Sequence, residues 1–209
     1  MDCIYLLAIN LMFLKVLFLI PYPLGTAASQ RFRFEQYMPY LTEENIHYTV
    51  SSFWNKKAWF ILYKKGAFVA KTLATLRGLL KRYALIFTAF KYDRIFIHRE
   101  LYPVGPQIVE FILARIYRKK IIYDFDDAIW LPNYAANNAR FAFVKSYGHV
   151  KKLCKYAYKL SVGNKFLAEY GKQFNDNVAL NPTTIDTENY HNRIKNQDSE
   201  DFIIGWTGT

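Results

Sequence analysis

The sequence predicts an α/β domain of three layers, in which helices cover both faces of a mainly parallel sheet. Short, continuously apolar runs recur along the 209-residue chain and alternate with segments of helical spacing. Such runs suit parallel strands, because a strand covered on both faces has no side that meets water. Polar residues follow several runs directly, and in open α/β sheets these positions face the ligand crevice. The pattern therefore predicts both a fold class and the sheet edge at which a site would lie.

The clearest strand lies near the middle of the chain, in the run Ile121–Trp130. Two isoleucines and a tyrosine lead into Asp124, Asp126 and Asp127, and the apolar pattern then resumes before Pro132. We predict a buried strand that ends in an acidic rim at the ligand edge of the sheet.

The first strand is predicted over residues 13–20, where an apolar run ends at Pro21. A membrane anchor and a cleaved signal peptide are the alternatives for this end of the chain. Neither fits well, because Asp2, Asn10 and Lys15 interrupt the apolar stretch. Met12 could be the natural start, which would make residues 1–11 an upstream extension.

A candidate anion-binding turn follows this strand. Gly25 lies in the turn, and Ser29 can cap. An amphipathic helix is predicted over residues 29–41, and Arg31 and Arg33 add side-chain donors near its start. A helix start offers free N–H groups and a positive dipole end to an anion. The alternative is an ordinary strand-to-helix turn with surface arginines, because no full Gly-rich motif is present.

Charge is concentrated in the next segment, which has nine Lys or Arg and no Asp or Glu from Lys56 to Lys91. Basic and aromatic residues together suit a helix on an anionic membrane surface, or else a helix packed on the sheet with solvated lysines. Nucleic acid is not expected as a partner, because no reading motif is recognised. The membrane-surface candidates are Lys56, Lys57, Trp59, Lys64 and Lys65.

Two later strands also end in polar residues. His98, Arg99 and Glu100 end one apolar run, and Asn164 follows another. Helices are predicted over residues 107–117 and 139–158. The two cysteines, Cys3 and Cys154, have no spacing that indicates a disulfide framework or a zinc site, which favours a reducing, cytoplasmic compartment.

Taken in order, these motifs resemble the amino-terminal half of a family 4-type glycosyltransferase. The resemblance is carried by Pro21-Tyr22-Pro23-Leu24-Gly25, Ser29-Gln30-Arg31-Phe32-Arg33, His98-Arg99-Glu100, Tyr123-Asp124-Phe125-Asp126-Asp127-Ala128-Ile129-Trp130, Val162-Gly163-Asn164-Lys165-Phe166-Leu167, Asn181-Pro182-Thr183-Thr184-Ile185-Asp186 and Ile204-Gly205-Trp206-Thr207-Gly208. It implies the GT-B architecture, in which two Rossmann-like domains face each other across a cleft. Residues 12–189 would be the acceptor-side domain, 190–201 a linker, and 202–209 the start of a truncated donor domain.

The resemblance also implies a function. The complete protein would transfer a hexose-type sugar from a nucleoside diphosphate sugar to a glycan or lipid-linked acceptor, as in cell-envelope polysaccharide synthesis. No metal or other cofactor is expected, the enzyme would be cytoplasmic or peripheral at the inner face of the membrane, and this chain alone would be inactive. The implied cleft residues are Gly25, Ser29, Arg31, Arg33, His98, Arg99, Glu100, Asp126, Asp127 and Asn164.

Two readings from other classes stay open. A strand followed by Asp-x-Asp also begins haloacid-dehalogenase-like phosphatases, which would make Asp124 the nucleophile and Asp126 the acid/base beside magnesium. The non-enzymatic alternative is a basic domain that binds a membrane surface or a partner.

Overall fold

A six-stranded, all-parallel sheet with flanking helices forms the domain in the computed structural model, which describes residues 14–62, 64–131 and 148–194. The predicted Rossmann-like α/β class with a parallel sheet is confirmed. The strands are β1 (Lys15–Ile20), β2 (His47–Ser52), β3 (Arg94–His98), β4 (Lys120–Phe125), β5 (Lys159–Val162) and β6 (Val178–Leu180). The helices are α1 (Ala28–Arg33), α2 (Met38–Glu43), α3 (Lys56–Leu62), α4 (Phe68–Ala84), α5 (Ile108–Phe111), α6 (Gly148–Tyr156) and α7 (Lys165–Lys172).

The strand order, β2-β1-β3-β4-β5-β6, places a switch point beside β1. The chain runs from β1 outward to β2 and then returns to the other side of β1 as β3. Ligands of open α/β sheets bind in the crevice outside the carboxyl ends of the strands at such a point. The crevice expected here lies beyond Ile20 and His98.

Side chains of β1 alternate between two cores, one on each face of the sheet. Leu17 and Leu19 belong to the larger core, and Val16, Phe18 and Ile20 belong to the smaller one. All five are buried, which is the pattern of a strand covered on both faces. The continuously apolar sequence of β1 follows from this arrangement.

Two helices predicted as continuous are interrupted. The helix expected over residues 29–41 is divided by Phe34, whose φ of −145° is not helical. The Phe34 ring is buried and contacts Phe18 and Phe96 at centroid distances of 5.7 and 5.4 Å. The helix therefore breaks at the residue whose ring packs into the core. The helix expected over residues 107–117 is a four-residue α5 followed by a π-helical turn, Ile112–Ile116.

Arg82 of α4 joins the carboxyl ends of three strands. Its side chain is fully buried and donates to the carbonyl oxygens of Ile20 (2.7 Å), Ser51 (2.9 Å) and Leu101 (2.8 Å). Burial lowers the pKa of Arg82 to about 9. This side chain fixes the sheet edge at which the site lies.

Several predictions fall outside the described residues: the extension 1–11, the strand start at Phe13, the first half of the helix expected over 139–158, and the donor-domain start 202–209. Of the expected linker, the described residues Tyr190 to Ile194 are exposed. Within the described ranges, no helix is long and apolar enough to cross a bilayer.

Candidate functional site

Asp124 is the centre of a buried polar network at the carboxyl edge of the sheet. Strand register places it beside His98 of β3 and Ser161 of β5. Its Oδ2 lies 2.8 Å from His98 Nδ1, and its Oδ1 accepts a 2.7 Å hydrogen bond from the Ser161 hydroxyl. Arg33 of α1 completes the network with a bidentate salt bridge to both carboxylate oxygens.

The network is closed to solvent and balanced in charge. The side chains of Arg33 and Asp124 are 0% and 1% exposed. Burial alone raises the pKa of Asp124, but hydrogen bonds from His98 and Arg33 and the positive charge of the guanidinium outweigh this effect, so its pKa lies below the usual value. Asp124 is therefore an ionised carboxylate that orients its neighbours.

The loop after β6 also joins this network. The Arg33 guanidinium donates to the carbonyl oxygen of Asn181, and the Asn181 side-chain amide lies 3.3 Å from Ser161 Oγ. The site thus brings together residues that follow or belong to α1, β3, β4, β5 and β6.

His98 has one ring nitrogen engaged and one without a partner. Its Nδ1 donates to the ionised carboxylate of Asp124, which fixes the tautomer in the neutral ring. Its Nε2 is buried and has no hydrogen-bond partner in the described structure. The Phe34 ring packs edge-on against the imidazole, with a centroid distance of 5.4 Å. Buried polar atoms are rarely left unpaired, so Nε2 is available for a ligand group.

Arg99, Asp126 and Asp127 form a second, more exposed cluster beside the network. Arg99 contacts Asp126 at 3.3 Å and Asp127 at 3.5 Å, and its backbone N–H donates to the Asp124 carbonyl oxygen. The φ of Arg99 is 59°, in the left-handed region that costs a non-glycine residue energy. A Cβ at Gly163 would lie 3.2 Å from Asp126 Cα, so glycine permits the close approach of these two strand ends.

The turn at Gly25 does not offer the free N–H group that its sequence predicts. Gly25 takes a φ of 77°, and its N–H donates to the Glu35 carboxylate at 2.8 Å. Gln30 also donates to Glu35, so a negative group occupies the turn. Ser29 is half-buried, while Arg31 is exposed and lies over the Phe32 ring.

Asn164 and Glu100 follow strands β5 and β3, and the membrane-surface candidates lie on α3 or directly after it. Asn164 caps α7, because its side-chain oxygen accepts from the Leu167 N–H at 3.0 Å. Glu100 is half-buried beyond β3. Trp59 is half-buried and packs against Tyr22 at 4.6 Å, whereas the candidate membrane-surface lysines are exposed.

Sequence reasoning placed Asp124 in the acidic rim and missed the roles of Ser161 and Asn181. Asp124 points into the network rather than to solvent, and its position before the buried Phe125 was the available signal. A serine inside the apolar run Lys159–Val162 was the corresponding signal for Ser161. The described residues contain no group of three or more His, Cys, Asp or Glu side chains placed to hold a metal.

Comparison with known proteins does not assign a family. No protein-family model matches the chain, and no curated protein matches it. Among solved structures, a conserved protein from Enterococcus faecalis V583 is similar over 81% of this chain and 92% of its own, with 12% sequence identity and a TM-score of 0.26. A similarity at this level supports neither a fold nor a function for this chain.

Proposed function

We propose that the chain is the acceptor-side domain of a glycosyltransferase of GT-B architecture, which transfers a sugar from a nucleoside diphosphate sugar to a glycan or lipid-linked acceptor. The observation that carries the proposal is the His98–Asp124 pair, whose second imidazole nitrogen is unpartnered at the switch point of a parallel sheet. The order of sequence motifs supports it independently.

The chemistry of the pair suits recognition of a sugar hydroxyl. When Nδ1–H is held by Asp124, the neutral form of the imidazole carries its lone pair on Nε2, which can accept a hydrogen bond from a hydroxyl. Nε2 is covered in this state, so a hydroxyl reaches it only when a neighbouring side chain moves. Phe34 is the side chain that we expect to move, because its ring packs directly against the imidazole.

In this proposal the remaining polar groups hold the pair in place. Arg33 and Ser161 fix the Asp124 carboxylate, and the carboxylate fixes the imidazole. The more exposed Arg99, with Asp126 and Asp127, would line the cleft beside it. A second domain would hold the donor diphosphate, as the resemblance implies.

The phosphatase alternative is disfavoured by the same geometry. A nucleophilic Asp124 needs a free oxygen that can reach phosphorus. Both of its oxygens are engaged by Arg33, His98 and Ser161, and the side chain is 1% exposed.

The test assays the protein encoded by the complete coding region for two reactions. We expect this protein to consume at least one of a panel of nucleoside diphosphate sugars, and release of the nucleoside diphosphate measures transfer or hydrolysis. We expect no magnesium-dependent phosphate release from small phosphoesters. Phosphate release that is lost in Asp124→Asn, without consumption of any donor, would replace the transferase with the phosphatase.

A further inference from the structure

Helix α4 carries an apolar surface on the side that faces away from the sheet. Five large apolar residues of this helix are 53–70% exposed, and four of them, spaced by four, three and four residues, lie on one helical face. We call them the outer stripe: Val69, Leu73, Leu76 and Leu80.

The opposite face of the same helix makes the packing contacts. At about 100° of rotation per residue, Gly78 and Arg82 lie on the opposite side from the outer stripe. Gly78 packs against the Phe53 ring, and Arg82 is fully buried. The outer stripe is therefore not a core face, and isolated surface residues do not account for four aligned apolar side chains.

A cleft with basic walls adjoins the outer stripe. It has a volume of about 360 Å³, lies between α3 and α4, and includes Leu73 of the stripe in its lining. Its cations are Lys57, Arg77 and Lys81, and we call it the basic cleft. Among the described residues, no carboxylate forms an ion pair with any of the three.

Lys81 reflects the positive potential of this region. Burial and the neighbouring charges of Arg82 and Arg77 lower its pKa. Its Nζ donates to the Ser52 carbonyl oxygen at 2.9 Å, which anchors the amino group at the cleft.

We propose that the outer stripe and the basic cleft together dock the protein onto an anionic membrane, with the stripe among the acyl chains and the cleft around lipid phosphates. An apolar face bordered by cations is the pattern of a helix that lies in the headgroup region. Docking here does not require the proposed transfer reaction.

Charge decides between a membrane and a second copy of the chain. The stripe spacing would also suit helix pairing between two copies. However, residues 56–91 contain nine basic and no acidic residues, so two such surfaces would bring like charges together. An anionic bilayer is complementary to the same surface.

Vesicle sedimentation tests this proposal directly. We expect binding to phosphatidylcholine vesicles that contain phosphatidylglycerol, and little binding without it or at high salt, where surface charges are screened. Each basic side chain near such a surface contributes roughly a fivefold factor in affinity. Arg77→Gln with Lys81→Gln should therefore lower the affinity about 25-fold, and Leu76→Ser with Leu80→Ser by on the order of tenfold or more.

Matched controls lie on other helices or turns. Lys165→Gln with Lys172→Gln removes the same charge from exposed positions of α7, and Ile108→Ser with Ile116→Ser removes exposed apolar groups elsewhere. Both controls should bind like the unchanged protein, and thermal melts should show all variants folded.

Two results would overturn the proposal. One is the absence of salt-sensitive vesicle binding, or binding that persists in the outer-stripe variant. The other is a concentration-dependent dimer that is lost in Leu76→Ser with Leu80→Ser while vesicles are not bound, which would make a second copy the occupant of this surface.

Discussion

The site depends most on one side chain, the carboxylate of Asp124. It is buried against the Arg33 guanidinium, so Asp124→Asn would leave a cation without its counter-ion. Breaking a buried ion pair in this way costs about 3–5 kcal/mol. We expect the free energy of unfolding at neutral pH to fall by about that amount, measured by urea denaturation. Asn164→Ser, a cap outside the network, is a control whose cost should stay near or below 1 kcal/mol.

The cost of Asp124→Asn should also depend on pH. Because the pKa of Asp124 is lowered in the folded protein, its stabilising effect is present above the unfolded-state pKa and is lost as the pH falls through the folded-state value. The difference between the two proteins should therefore shrink in acid, below about pH 4. A difference that stays constant down to pH 2 would contradict the ionised network.

The buried carboxyl group of Glu110 should make stability depend on pH with the opposite sign. Burial raises its pKa to about 7, although a 2.6 Å hydrogen bond from the Tyr102 hydroxyl opposes the shift. The folded state thus holds a proton that the unfolded state releases, and stability falls as the pH rises from about 4.5 to about 7. Glu110→Gln keeps an acceptor for Tyr102 and should remove this fall.

At pH 8 the Glu110→Gln protein should be more stable by about 3 kcal/mol, the equivalent of the pKa shift, and at pH 4 the two should melt together. Melting temperatures over this range give the comparison. Parallel curves for the two proteins would show that Glu110 is ionised in the fold at little cost.

At the scale of the elements, Gly78 sets how closely α4 packs on the sheet. A Cβ at this position would lie 2.5–2.7 Å from the buried Phe53 ring. Gly78→Ala improves helix propensity by about 1 kcal/mol, but overpacking costs about 1–3 kcal/mol. We expect a net loss of stability in urea denaturation, whereas Thr72→Ala on an exposed position of the same helix should be nearly neutral. A stabilised Gly78→Ala would mean that Phe53 moves freely.

The strands were more predictable than the helices for a physical reason. Continuous apolar runs identified β1, β3 and β4 because strands buried on both faces leave little choice of residue. The breaks at Phe34 and after Phe111 depend on tertiary packing and hydrogen-bond geometry, which local spacing does not encode. The aromatic membrane candidate Trp59 was placed by composition alone, and only the fold reveals that it packs on Tyr22.

At the scale of the whole molecule, the site was predictable only in part. Polar groups at strand ends indicated His98, Arg99 and Asp126 because parallel strands share one carboxyl edge. Arg33 and Asp124 lie 91 residues apart, and no local pattern reveals their pairing. The same is true of Asn181, because its backbone carbonyl oxygen, and not its side chain, accepts the hydrogen bond from Arg33.

A substitution at Arg82 measures how much the stability of the carboxyl edge of the sheet depends on one side chain. Arg82→Leu would remove the Arg82 donor from the buried carbonyl oxygens of Ser51 and Leu101, whereas that of Ile20 keeps a 2.8 Å hydrogen bond from the Phe53 N–H. Unsatisfied buried acceptors cost about 1–3 kcal/mol each, so we expect a loss of at least about 2 kcal/mol in urea denaturation. Arg77→Leu, at an exposed position of the same helix, should change stability by less than about 0.5 kcal/mol. Equal stabilities of the two variants would contradict this role.

The most direct test of the proposed function compares sugar transfer by the complete protein with transfer by its His98→Gln variant. If Nε2 of His98 contacts the substrate, kcat should fall on the order of a hundredfold, because one positioned side chain typically contributes a factor of about that size. Thermal melts of both proteins verify that the variant is folded, and Lys172→Gln, at an exposed position of α7, is the control that should retain full activity. Full transfer activity in a folded His98→Gln protein, or no donor consumption by the unchanged protein, would contradict the account.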